Sequence, residues 1–234
     1  MKKVMENIGT WSNTKTGSIL IIGLLGIFFS VGIIGHSLPI TFDLMITLTP
    51  WVLGVFGFVV LFFALTGHSQ VGSIKPQIIW ILVSYAITFF LEALGVATGL
   101  VFGQYSYGNT LGFQLFQTPV IIGLNWVIVV LGITVVTLKF TQKPWLVATI
   151  VGLLCVVFDV ILEPLAIHPD MDYWSWAGGP VPVHNYIAWF IISFGMAFVY
   201  ALKIKHPIRS WILPGYWIIQ MIFFVSIRLF VLGV

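Results

Sequence analysis

The chain has 234 residues, of which 59% are hydrophobic and 16% aromatic, and its mean hydropathy is +1.09. No soluble domain requires so much apolar surface, so the composition indicates a membrane protein with several spans. The net charge of +3 does not indicate a nucleic-acid partner, and the single cysteine, Cys155, excludes an internal disulfide.

Seven apolar runs are long enough to cross a bilayer, which takes about 20 residues in a helix. The first follows a short, polar and basic segment, Met1 to Thr16, and lacks an Ala-x-Ala cleavage site, so we expect it to be retained as a helix. In chain order the runs are 17–35, 44–66, 77–102, 118–138, 145–167, 183–203 and 211–232. Because no linker or low-complexity stretch divides them, we predict an all-α, polytopic membrane protein, a bundle of about seven transmembrane helices in one domain over residues 1–234.

The basic residues predict the orientation of this bundle. Nine of the ten Lys and Arg residues fall on one side of the membrane if there are seven spans: Lys2, Lys3, Lys15, Lys75, Lys139, Lys143, Lys203, Lys205 and Arg209. Since positive charge accumulates on the cytoplasmic side, we predict a multi-pass protein of the cell membrane with a cytoplasmic N-terminus and an external C-terminus.

Four ionisable side chains lie inside the predicted spans: Glu92, Asp159, Glu163 and Arg228. A charge in hydrocarbon is costly and has to face a cavity, a partner or a substrate. The rise of a helix places Glu92 roughly 15 Å and Asp159 roughly 12 Å below the outer ends of their spans, and the other two roughly 6 Å below. Their shared depth predicts a pocket open to the outer leaflet or the external face.

The spacing of these groups suggests how they interact. Asp159 and Glu163 lie four residues apart and therefore on one helical face, where both cannot easily ionise, so one is expected to hold its proton. Arg228 is a candidate partner for one carboxylate, although it can also extend to the outer surface. Gly95 and Gly99, which follow Glu92 at helical spacing, predict the close approach of a neighbouring helix.

Polar and aromatic residues near the outer ends complete the candidate pocket. Asn125 and Asn185 enter from that side, either as site residues or as hydrogen-bonding groups between helices. The loops 103–112 and 168–182 contain an unusual number of aromatic residues: Tyr105, Tyr107, Tyr173, Trp174 and Trp176. They fit an aromatic belt as well as a site lining. If 174–176 is extended, we expect one of its two indole rings to point inward. The histidines show no metal-ligand spacing, so no metal site is predicted.

Two ordered motifs resemble a known family. The first is Glu92-Ala-Leu-Gly95-Val-Ala-Thr98-Gly99-Leu-Val-Phe102-Gly103-Gln-Tyr105-Ser-Tyr107, followed by Leu111-Gly112. The second comprises Asp159, Glu163-Pro164, Trp174-Ser-Trp176 and Gly179-Pro-Val-Pro182-Val-His-Asn185-Tyr-Ile-Ala-Trp189, and Pro119 and Trp126 match between them. Over residues 80–200 the chain is similar to the carotenoid biosynthesis membrane proteins of bacteria and archaea. Those are hydratases that act on acyclic carotenoid ends, and Glu163 stands where their pattern has Asp.

The resemblance implies a carotenoid 1,2-hydratase in a lipid bilayer, an enzyme that needs no cofactor. A carboxylic acid protonates the terminal double bond, and water captures the tertiary carbocation. We assign Asp159 as the acid and Glu163 as its coupled partner, with Glu92 as the alternative acid or the base that activates water. Groups expected to contact substrate or water are Tyr105, Tyr107, Asn125, Trp174, Trp176, Asn185 and Arg228.

Two other functions fit parts of the pattern. A carotenoid or lycopene cyclase uses the same protonation but excludes water, so the product separates it from a hydratase. A proton-coupled membrane transporter would also use carboxyls within spans, but it prefers them at the midplane of paired repeats, and we find no internal repeat. The sequence does not predict the oligomeric state.

Overall fold

The structure, a computed structural model, describes residues 2–69 and 72–233. Met1 and Val234, the two ends of the predicted single domain, lie outside the described residues, and the domain assignment stays a prediction. The α-helices within the described residues are α1 (Lys2–Ser12), α2 (Lys15–Ser37), α3 (Pro39–His68), α4 (Lys75–Thr98), α5 (Ile121–Thr137), α6 (Pro144–Ala166), α7 (Val183–Lys203) and α8 (Ile212–Ile227). The short strands are β1 (Tyr105–Tyr107), β2 (Gln114–Leu115), β3 (Thr118–Pro119) and β4 (Trp174–Trp176).

The predicted all-α, polytopic membrane class is confirmed. Within the described residues, six helices are long and apolar enough to cross a membrane: α2, α3, α4, α6, α7, and α8 together with the helical turn that follows it. The remaining predicted span, 118–138, which is the fourth in chain order, corresponds to a strand followed by α5, which has only 17 residues.

Helix α5 is short because protein rather than lipid surrounds it. Nearly all of its side chains are buried, and it packs against α3, α4, α6, α7 and α8. A helix enclosed in this way does not need the full thickness of the hydrocarbon layer, because its neighbours shield its ends. It therefore forms the centre of the bundle, with the other apolar helices around it.

Both ends of the chain differ from the prediction. The segment before the first span forms α1, which packs against the end of α3, where Asn13 donates a hydrogen bond of 2.7 Å to the carbonyl of Gly67. The last predicted span, 211–232, changes character at Arg228, where α8 gives way to a π-helix over Arg228–Leu232. The period-3.6 pattern of apolar residues contains no sign of this change.

The loops that carry the basic residues meet at one end of the bundle. Lys139 after α5 lies 3.7 Å from the ring centre of Trp211, which precedes α8. Gln77 at the start of α4 donates 2.6 Å to the carbonyl of His206, which follows α7. The positive-inside pattern requires these loops to share one side, and the cytoplasmic assignment of that side stays a prediction.

The close contact between α4 and α5 gives a test of the packing. A Cβ atom at Gly123 would lie 2.9 Å from the ring of Tyr85 and 3.1 Å from its carbonyl oxygen, and the Tyr85 hydroxyl is held by the carbonyl of Val120. We expect Gly123→Ala to lower the free energy of unfolding by about 1–3 kcal/mol, as overpacking does.

In the control Gly195→Ala, on α7, the new methyl group meets nothing within 4 Å, so greater helix propensity should raise the free energy of unfolding by up to ~1 kcal/mol. Thermal unfolding in detergent measures both, and equal melting temperatures for the two variants would contradict the packing.

Candidate active site

Two of the short strands carry the aromatic residues that distinguish the loops after α4 and α6. Strand β1 pairs antiparallel with β4, with Tyr105 opposite Trp176 and Tyr107 opposite Trp174. Because side chains two residues apart project from the same face of a strand, all four rings share one face of the pair. We call this pair of strands the aromatic sheet.

The tyrosines of the aromatic sheet bind Glu92 on α4. The hydroxyls of Tyr105 and Tyr107 donate to its Oε2 at 2.5 and 2.8 Å, and the indole N–H of Trp126 on α5 donates to Oε1 at 2.7 Å. Burial, reinforced by the neighbouring carboxyl, raises the pKa of both tyrosines, so their hydroxyls stay protonated. Glu92 is thus a buried carboxyl with donors on both oxygens.

The tryptophans of the same sheet bind Glu163 on α6. The indole N–H groups of Trp174 and Trp176 both donate to Oε2, at 3.1 and 3.0 Å. The expectation that only one of these rings points inward is wrong, because residues at positions i and i+2 of a strand face the same way. Each strand of the aromatic sheet therefore supplies two donors to one carboxyl.

Asp159 lies one helical turn before Glu163 and has fewer partners. The side-chain amide of Asn185, on α7, donates to Asp159 Oδ2 at 2.5 Å and to Glu163 Oε1 at 3.3 Å. The other oxygen, Asp159 Oδ1, is buried and has no hydrogen-bond partner in the described part of the chain. Of the three buried carboxyls, Asp159 is therefore the one with an oxygen left without a donor.

The chain reverses after α4 so that β1 can reach back to Glu92. Gly99 ends the helix with φ of +70°, a conformation that costs a glycine nothing. A Cβ at Gly95 would lie 2.8 Å from the ring of Phe102 and 3.2 Å from the Tyr105 hydroxyl. The prediction that these glycines admit a neighbouring helix is therefore wrong, because they admit the returning loop of the same chain.

The two loops are also joined through their backbones. Gly108 donates to the carbonyl of Tyr173, and the backbone N–H of Asn109 donates to Asp172 Oδ2 at 3.0 Å. A Cβ at Gly108 would lie 2.2 Å from the carbonyl oxygen of Asp172, so only glycine fits there. These bonds continue the pairing of β1 and β4 by one step and fix the aromatic sheet over the carboxyls.

One cavity adjoins all three carboxyls. It encloses about 260 Å³, and its wall is largely apolar, with apolar side chains contributed by α2, α3, α5 and α8 among other elements. Three of the wall residues are also exposed on the outside of the bundle: Phe28 (44%), Val31 (59%) and Leu48 (38%). The cavity therefore reaches the molecular surface beside α2 and α3, two of the candidate membrane spans.

The structure brings most of the predicted site residues together around this cavity. Its lining includes Glu92, Tyr105, Tyr107, Asn125, Asp159, Glu163, Trp174, Trp176 and Asn185. Asn125 does not contact a carboxyl; its Oδ1 accepts a hydrogen bond of 3.3 Å from Gln220 on α8.

Arg228 is the exception among the predicted site residues. It does not line the cavity, and the ion pair found within residues 2–69 and 72–233 is His168 with Asp170, not Arg228 with a carboxyl. The predicted pairing of Arg228 is therefore wrong. It lies where α8 passes into the π-helix and is partly exposed, as expected for the alternative in which it extends outward.

Several residues of the site have no role assigned from the sequence, among them Trp126, Trp189 and Gln220. Trp126 binds Glu92, and its ring stacks on Trp189 with centroids 3.8 Å apart. Both belong to the motifs that resemble the family. A second signal was available, because an indole in the middle of an apolar span needs an acceptor for its N–H. Gln220 could have been found in a similar way, because a polar residue within an apolar span needs a polar partner.

No metal or cofactor is predicted for this site. Within the described ranges 2–69 and 72–233, no three His, Cys, Asp or Glu side chains are grouped as metal ligands. Whether the reaction needs a cofactor stays a prediction.

Fold and site together define a helical membrane protein with an apolar cavity, in which buried carboxyls are held by an aromatic sheet. The chain belongs to the family described as carotenoid biosynthesis protein, whose model matches residues 49–234. No curated protein and no solved structure matches the chain. Helix α2 and the first part of α3 precede the matched residues, although both contribute to the cavity wall.

The bond between Trp126 and Glu92 can be measured by a double-mutant cycle. We expect Trp126→Phe to cost about 2 kcal/mol or more, since it removes a donor from a buried carboxyl. Combined with Glu92→Met, which leaves no acceptor for the indole N–H, the two losses should fall short of additivity by ~1 kcal/mol or more, because the bond is lost only once. Denaturant unfolding provides the four stabilities.

The control for this cycle is Trp145→Phe, at a tryptophan that is 58% exposed on α6. Its effect should add to that of Glu92→Met within experimental error. Additive effects for Trp126 and Glu92 as well would mean that their hydrogen bond contributes nothing.

Proposed function

We propose that the protein is a carotenoid hydratase that adds water to the terminal 1,2 double bond of an acyclic carotenoid end, without a cofactor. The observation that carries this proposal is the contrast among the carboxyls at one apolar cavity. Glu92 and Glu163 each accept several hydrogen bonds, whereas Asp159 Oδ1 accepts none. An acid and a base in the same apolar site require such a contrast.

Asp159 is the proposed acid. Hydrogen bonds from donors favour the ionised form of a carboxyl, and burial without donors favours the neutral form. The adjacent Glu163, whose Oε1 shares the Asn185 amide with Asp159, discourages a second negative charge on Asp159 because like charges repel. The proton on Oδ1 is then available to an alkene in the cavity.

The reaction has two steps. Asp159 gives its proton to C2, the π electrons of the 1,2 double bond form the new C–H bond, and a tertiary carbocation remains at C1. The oxygen of a water molecule then bonds to C1, and one of its protons passes to Glu92. Return of that proton to Asp159 completes the cycle, so that the sum is alkene plus water giving a tertiary alcohol.

The aromatic sheet provides the surroundings that a carbocation needs. Trp174, Trp176 and Tyr107 line the cavity, and their N–H and O–H groups are engaged by the two glutamates. Their π faces attract a cation without forming a bond to it. Tyr105 and Asn185, which hold the carboxyls, are the proposed groups that orient the water.

The position of the cavity suits a carotenoid. Its opening lies beside α2 and α3, where exposed apolar residues face the bilayer if these helices span it. A carotenoid is about as long as the ~30 Å hydrocarbon layer is thick, so its end group lies near one membrane face. With the basic loops on the cytoplasmic side, the cavity lies towards the external face.

Removal of the acid is the first test. We expect Asp159→Asn to lower hydration at least a hundredfold, as loss of a general acid does. The control Asp43→Asn changes an exposed carboxyl on α3 that does not line the cavity, and it should leave hydration unchanged. Each variant is co-expressed with a pathway that makes an acyclic carotenoid, and the products are analysed by mass for added water.

Hydration at the wild-type level in Asp159→Asn would refute the acid assignment. A ring-bearing product of unchanged mass from the wild-type protein would instead identify a cyclase. Proton flux into liposomes without carotenoid conversion would support the transporter.

The division of labour between acid and base is tested in heavy water. In Glu92→Gln the acid is intact but water capture is slowed, so the cation should lose a proton from C2 and revert to alkene. Recovered substrate should therefore contain deuterium at C2 with Glu92→Gln, and should contain none with Asp159→Asn. The reverse result would make Glu92 the acid.

A further inference from the structure

Besides the carboxyls, the wall of the cavity contains a second set of polar side chains. His36 lies on α2, Asn125 on α5 and Gln220 on α8, and all three line the cavity. His36 is 6% exposed and Gln220 is 1% exposed, so neither is solvated at the surface of the bundle. None of them has a role in the proton transfers proposed above.

Two of these side chains present acceptors that the protein does not satisfy. Gln220 uses its amide N–H to donate to Asn125, and its Oε1 has no partner in the described part of the chain. His36 Nδ1 lies 2.7 Å from the carbonyl of Gly32, which can only accept, so Nδ1 carries the hydrogen. In the neutral ring Nε2 is then an acceptor, and it too is buried without a partner among the described residues.

Buried acceptors without a donor favour one class of ligand group. A hydrocarbon leaves them unsatisfied, which is unfavourable, whereas an O–H group donates to them. The surrounding wall is apolar; the ring of Phe223, for example, lies 5.6 Å from that of His36. A few polar groups in an apolar wall are the usual means by which a pocket orients its ligand.

We propose that His36 and Gln220 form an O–H binding subsite in the cavity, which holds either a water molecule or a hydroxyl of an isoprenoid ligand. The isoprenoid nature of the ligand rests on the proposed function, whereas the hydroxyl requirement rests on the unsatisfied acceptors. His36 precedes the residues that the family model matches, so this part of the subsite belongs to a wall that the family match does not cover.

The test compares two short probes that end in the same trisubstituted alkene. Geraniol has a hydroxyl at its other end, and 2,6-dimethylocta-2,6-diene is the corresponding hydrocarbon. Binding to the full chain in lipid nanodiscs is followed by quenching of tryptophan fluorescence. If the subsite takes a hydroxyl of the ligand, the wild-type protein should bind geraniol about tenfold more tightly than the hydrocarbon.

The variants are Gln220→Met and His36→Phe, which remove the acceptors with little change in volume and lie on different helices. Each should abolish the preference for geraniol. The matched control is Gln77→Met, at a glutamine that is also buried and also has an unpartnered Oε1, but which does not line the cavity. It should keep the preference, and elution profile and helical circular dichroism check the fold of all three.

If water is the ligand of the subsite, the two probes should bind equally to the wild-type protein. Gln220→Met and His36→Phe should then lower hydration of an acyclic carotenoid about tenfold, while Gln77→Met should not. A preference for geraniol in a protein that hydrates nothing would support the subsite and refute the hydratase. Equal binding of the probes, with hydration unaffected by the variants or absent altogether, would overturn the subsite.

Discussion

Three carboxyl groups buried in an apolar bundle have to find their hydrogen-bond donors within the protein, because lipid provides none. This requirement explains the loops as well as the helices. Tyr105 and Tyr107 bring two donors to Glu92, and Trp174 and Trp176 bring two to Glu163. Two loops that are far apart in the chain are thereby joined into one sheet, with Gly99 and Gly108 placed where the backbone has to reverse or approach closely. Irregular backbone near membrane depth is tolerated where it lines a cavity, and this arrangement is such a case.

The sequence predicted the apolar helices and most of the polar residues around the cavity, but not how those residues are paired. Long apolar runs identify spans by a property that each residue carries on its own, so their approximate positions were predictable. The shared cavity was predictable from depth, since Glu92 and Asp159 had to face inward at similar heights. The pairing of β1 with β4 depends on a contact between distant segments, which no local period reports. Arg228, whose predicted pairing was wrong, lies where α8 passes into a π-helix, a change of backbone that composition does not report.

The central position of α5 accounts for a second group of differences. Spans that face lipid have to cover the full hydrocarbon thickness, whereas α5 is enclosed by five other helices and can be shorter. The residues before it are free to form β2 and β3 rather than another turn of helix. Enclosure also allows α5 to carry Trp126 and Asn125 inward, since their polar atoms meet Glu92 and Gln220 rather than lipid. A short central helix therefore connects the acidic side of the cavity with the side that contains Gln220.

The distribution of donors separates what the fold needs from what the proposed chemistry needs. Stability alone favours a full set of donors for every buried carboxyl. The bundle supplies five indole or phenol donors to two glutamates but none to Asp159 Oδ1. Asp159 Oδ1, Gln220 Oε1 and His36 Nε2 are the exceptions along the same cavity. Unsatisfied buried groups are unfavourable for folding, and those that line a cavity are available to a ligand or a reaction. In the proposed chemistry, Asp159 Oδ1 gives a proton to an alkene, and the other two atoms accept hydrogen bonds from an O–H group. Both roles require the ligand to lie in the part of the cavity that α2, α6 and α8 line.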